Sequence, residues 1–86
     1  MSEHKSQRIV CVKLLQDLLS KNTTAQYVID NWPMRTGDAL VDNIYSLLFH
    51  YRDDEDIRAK DSRYAVWQED EIRKYVELLL QQRQQL

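Results

Sequence analysis

The chain has 86 residues, 14 acidic and 12 basic side chains, a net charge of −2 and a hydrophobic fraction of 43%. At this length only about 60–65% of the unfolded chain's surface leaves water on folding, enough for one compact core and too little for a large internal pocket. The single cysteine, Cys11, excludes an intramolecular disulfide, and no apolar run approaches the roughly 18–20 residues of a membrane span.

The first periodic segment is RIVCVKLLQDLLSK, in which Cys11, Leu14, Leu15, Leu18 and Leu19 recur at helical spacing. Asn22 is expected to end it, and Thr23 to cap a second, shorter helix in NTTAQYVIDNW with Tyr27, Val28 and Trp32 facing inward. Pro33 stops that helix, because the residue before a proline is pushed out of helical geometry. PMRTGD then reads as a linker around Gly37, the only glycine. Asp38 is placed to cap a third, most apolar helix, DALVDNIYSLLFHYRD, with Leu40, Val41, Ile44, Tyr45, Leu48 and Tyr51 on one face and Leu47 beside it. DDEDIRAKDSRYA reads as a connection holding one short turn around residues 55–60. The last helix is WQEDEIRKYVELLLQQRQQ, with Ile72, Tyr75, Val76, Leu79 and Leu80 inward. No alternation at period two survives more than a few residues, so no strand is expected. The fold class is therefore all-α, a small antiparallel bundle of about four helices, in one domain over 1–86 with 1–7 and 82–86 loose. A polar, mixed-charge start and interruption of the apolar run by Lys13, Gln16 and Asp17 argue against a signal peptide. The lone thiol fits a reducing cytosol, and the expected location is cytoplasmic.

Charge is unevenly spread. Between Asp53 and Glu71 stand eight acids (Asp53, Asp54, Glu55, Asp56, Asp61, Glu69, Asp70 and Glu71) against Arg58, Lys60 and Arg63. No basic run balances them, which argues against direct nucleic-acid binding. EDE at 69–71 is accounted for by a helix start, where negative charge is favourable; DDED at 53–56 follows a helix end, where it is not. Three readings stand: a solvated loop, a docking face for a basic protein, and carboxylate catalysis. Tyr64 and Trp67 either pack inward or serve as partly exposed interface anchors. His50 reads as a helix-end histidine, with no partnered nucleophile to make an enzyme. A calcium loop lacks its central glycine and zinc lacks clustered Cys and His, so neither metal nor cofactor is expected.

These segments together resemble the colicin D type of immunity protein over roughly residues 12–80. KLLQDLLS leading into TAQYVID resembles that family's first and second helices, DNIYSLLFHY its third, DDEDIRAKDSRYA its acidic connection and EIRKYVELL its last helix. The resemblance implies a small cytoplasmic, non-enzymatic inhibitor whose acidic surface fills the basic active-site groove of a tRNA-cleaving toxin domain. It implies toxin contacts first from Asp53, Asp54, Glu55, Asp56 and Asp61, then from Glu69, Asp70 and Glu71, with Tyr64 and Trp67 as apolar contact beside them. The partner would be a basic nuclease domain, with no membrane involved and a monomer when free. The alternative is a helical adaptor that binds a partner through an apolar groove.

Overall fold

Side-chain oxygens at Thr24, Asp38 and Asp61 decide where three of the helices begin. A computed structural model describes residues 2–81, with side-chain surroundings from residue 7 onward. It contains α1 (Ser2–Leu19), α2 (Ala25–Asp30), α3 (Ala39–Asp53), α4 (Glu55–Lys60) and α5 (Ser62–Gln81), with no strand among the described residues. The Thr24 hydroxyl accepts the Tyr27 amide at 3.1 Å, and Asp38 accepts the Leu40 amide at 3.1 Å. Asp61 accepts the amides of Arg63 and Tyr64 at 3.0 and 3.2 Å. Each cap satisfies amide donors that the first turn of a helix leaves free, typically worth about 1 kcal/mol.

The far end of α1 closes with the backbone rather than a side chain. The Asn22 amide reaches the Asp17 carbonyl at 2.9 Å and the Lys21 amide reaches Leu18 at 3.1 Å, with Lys21 at φ 64°. That is a Schellman ending, in which the left-handed residue is usually glycine. Gly37 (φ 79°) supplies the corresponding freedom in the loop before α3, where Thr36 accepts the Asp38 amide at 2.9 Å.

The α1 contribution to the core is Cys11, Val12, Leu15 and Leu18; α3 adds Val41, Ile44, Leu48 and Tyr51, and α5 adds Ile72, Val76 and Leu79. Val28, Ile29 and Trp32 close the core from the α2 side, and the Trp32 indole donates to the Val41 carbonyl at 2.9 Å. A buried aromatic with a polar edge needs such an acceptor. α1 and α5 pack antiparallel, so that Lys21, just past the end of α1, meets Glu69 in the first half of α5. The all-α bundle expected from the hydrophobic spacing is the fold observed, and it measures 43 × 23 × 21 Å.

The structure corrects several details. The described residues hold five helices, the short turn expected at 55–60 being a helix in its own right. Thr24, not Thr23, caps α2. Tyr27 and Leu80, expected inside, are largely exposed. Residues 2–7, expected to be loose, form the opening turns of α1; Met1 and 82–86 lie outside the described residues. The last helix starts at Ser62, ahead of Trp67, because Asp61 caps it.

Candidate functional site

That earlier start of α5 reverses the electrostatics expected of the two acid clusters. Glu69, Asp70 and Glu71 lie well inside α5, whose first turn carries no acid. The DDED run straddles a corner: Asp53 ends α3, Asp54 is at once its C-cap and the N-cap of α4, and Glu55 and Asp56 occupy the first turn of α4. Negative charge there has the favourable sign for α4. Two of the three EDE acids, Glu69 and Asp70, are instead balanced by cations, Lys21 from beyond the end of α1 and Arg73 of α5 itself. Lys21 reaches Glu69 at 3.0 Å, and Arg73 reaches Asp70 at 2.7 Å and Glu69 at 3.8 Å.

The ten residues expected at the site therefore divide by role. Asp61 is a helix cap. Asp54 accepts the Tyr64 hydroxyl at 2.7 Å and the Gln68 side-chain amide at 3.0 Å. The Asp54 hydrogen bond is the main cause raising the Tyr64 phenol above its ordinary value, since it favours the protonated form. Asp53 pairs with its neighbour Arg52 at 3.1 Å. Glu55, Asp56 and Glu71 have no side-chain hydrogen bond or ion pair among the described residues. Glu55 and Asp56 are exposed, and Glu71 is half-buried.

Between these carboxylates the apolar side chains face outward. Trp67 is 56% exposed, Ile57 47% and Val66 55%. An inward Trp67 is thus excluded. Its ring lies 5.7 Å from that of half-buried Tyr64, tilted by 31°. Ile57 is on α4, and Trp67 is joined to the acidic corner between α3 and α4 through Tyr64, whose hydroxyl donates to Asp54.

Beneath this surface runs a polar network that the pattern of apolar residues did not reveal. Gln68 is only 7% exposed, and its carbonyl oxygen accepts from the Arg58 guanidinium at 2.8 Å while its amide bonds Asp54. Arg58 also donates to the Tyr51 carbonyl and lies over the Tyr51 ring at 3.6 Å. One of the three basic residues counted against the acid excess, Arg58, is therefore drawn into the α3–α4–α5 junction. Gln68 falls on the same side of α5 as Ile72, one helical turn away, which is the signal that could have flagged it. A mixed-charge cleft of about 440 Å³ opens beside the junction, lined by Lys21, Gln26, Arg52, Glu55, Arg58 and Glu69 among others.

Other chemistry has little support in the geometry. His50 is exposed in the last turn of α3. No group of three or more His, Cys, Asp or Glu among the described residues is arranged to hold a metal ion. No described helix is long and apolar enough to cross a membrane. Burial, the largest cause, and the nearby Asp38 charge push the Cys11 thiol up to about 12 despite Arg8, which makes it a poor nucleophile near neutrality. The fold and this surface define a small all-α protein with an acidic corner and an exposed tryptophan, Trp67, beside half-buried Tyr64. No protein-family model matches the chain, and no curated protein or solved structure matches it either.

Proposed function

We propose that this protein is a non-enzymatic cytoplasmic inhibitor of the immunity type, which binds the basic nuclease domain of a cognate toxin through α4 and the first half of α5. The observation that carries the reading is that Glu55 and Asp56 stand exposed on α4 beside exposed Ile57, without a side-chain partner among the described residues, while Trp67 is exposed on α5 next to Tyr64. Carboxylates without internal partners are free to bond Lys, Arg and His side chains that otherwise hold RNA phosphates. Aromatic anchors with a charged surround are the usual anatomy of an energetically important contact. The segment DDEDIRAKDSRYA, one of those that resemble colicin D-type immunity proteins, supplies this corner. Catalysis by the carboxylates has no support from the surface, because Asp54 and Asp61 are engaged in structure and Asp53, Glu69 and Asp70 in ion pairs.

The partner to test is a basic C-terminal domain encoded directly upstream of this chain. The double substitution Glu55→Lys and Asp56→Lys is expected to weaken binding to that domain at least tenfold and to abolish protection of tRNA from it. The fold should persist, because neither carboxylate is engaged internally. Unchanged affinity with unchanged salt dependence would sink the reading. Loss of binding only on substitution of exposed apolar residues, with acids irrelevant, would favour a helical adaptor instead.

A further inference from the structure

Trp67 has a geometry that names the chemistry of one partner side chain. The Tyr64 ring flanks it, and Tyr64 is itself held by the hydrogen bond from its hydroxyl to Asp54 at 2.7 Å. Asp54 is in turn bonded by buried Gln68. An exposed ring with a fixed neighbour loses little freedom on binding. One turn further along α5, on the same side of the helix, stands Glu71, half-buried and without an ion pair among the described residues. Its neighbours Glu69 and Asp70 are both neutralised by this chain's own cations.

The chain elsewhere places arginine on aromatic rings twice, Arg58 over Tyr51 at 3.6 Å and Arg52 over Phe49 at 5.0 Å. Trp67 offers the most favourable ring for that contact, yet no guanidinium or ammonium of the described chain lies over it. Arg63, one turn before Trp67, and Lys74, two turns after it, are exposed on the same flank and leave the ring open.

Resting on the docking surface above, we propose that Trp67 and Glu71 form a seat for an arginine of the protein partner. The guanidinium plane stacks on the indole while its N–H groups donate to the Glu71 carboxylate. Arginine is specified over lysine because only a planar, weakly hydrated cation can stack and donate in parallel.

The test uses the full chain and two peptides of equal charge, (Arg-Gly)4 and (Lys-Gly)4, with tryptophan emission as the readout. Trp32 is buried and Trp67 exposed, so a Trp67→Phe variant identifies the Trp67 signal. The arginine peptide is expected to change emission at several-fold lower concentration than the lysine peptide, and Glu71→Gln should remove most of that preference. Glu55→Gln with Asp56→Gln should weaken both peptides alike and leave the preference intact. Equal response to the two peptides in wild type and Glu71→Gln would overturn the seat while leaving the acidic docking surface standing. No emission change with either peptide would also overturn the seat; the docking surface is judged separately, by the toxin domain.

Discussion

Asp38 carries two tasks with one carboxylate, so its neighbourhood is a sensitive point of the fold. It caps α3, and it receives Arg8 through two hydrogen bonds at 2.6 and 2.9 Å, joining the start of α1 to the start of α3. Its side chain is 7% exposed and that of Arg8 is 15% exposed. Burial alone would raise the Asp38 carboxyl, but bonding and charge from Arg8, with the Val41 and Leu40 amides, outweigh it and hold it below the usual value. A depressed folded pKa gives stability that is present above the unfolded value near ~3.9 and lost as pH falls through the folded one. Asp38→Asn keeps a capping oxygen but strands Arg8, and is expected to lose about 2–3 kcal/mol at neutral pH. Urea melts should show that difference constant above about pH 5 and shrinking below about pH 4. Alkylation of buried Cys11 reads the same opening, and should be faster in the variant at neutral pH.

At the scale of elements, the helices were legible in the sequence, as was the Asp38 cap of α3, but the starts of α2 and α5 were not. Leu15, Leu18, Ile44, Leu48, Ile72 and Val76 repeat at helical spacing and are all buried. That regularity comes from each helix having to bury one stripe. Asp61 was hidden by its company: among so many acids it reads as charge, whereas its oxygen serves two amides and starts α5. The displaced start changed which acid cluster sat at a helix N-terminus, and so which one needed a partner. Lys21 was equally opaque, because glycine is the usual residue at a Schellman ending and no sequence pattern marks a lysine there. Its left-handed φ of 64° is a strained choice, offset in part by its exposed pair with Glu69. Lys21→Gly is therefore expected to raise stability by about 0.5 kcal/mol, relief of the backbone outweighing an exposed ion pair. A fall in the denaturation midpoint would show that the bridge from the end of α1 to α5 is the stronger effect.

For the whole molecule, the acids that build the fold and the acids left for a partner are different residues. Asp38, Asp54 and Asp61 are spent on caps, an ion pair and the junction network, whereas Glu55 and Asp56 stand at the corner with nothing to hold. Stability and recognition should then separate on substitution. Asp61→Ala removes the cap of α5 and is expected to lower unfolding free energy by about 1–2 kcal/mol. Its association with the basic toxin domain should still accelerate steeply as ionic strength falls, because the long-range field of the free carboxylates is nearly intact. Glu55→Gln with Asp56→Gln should do the reverse, leaving the melting transition within about 0.5 kcal/mol of wild type while flattening the salt dependence of the on-rate. The off-rate should change less, since exposed charges steer encounter more than they hold the complex. Stopped-flow association at several salt concentrations beside chemical denaturation checks both halves. If Asp61→Ala flattened the salt dependence as much as the double variant, the acids would act as one cluster and the division between structural and recognition carboxylates would fall.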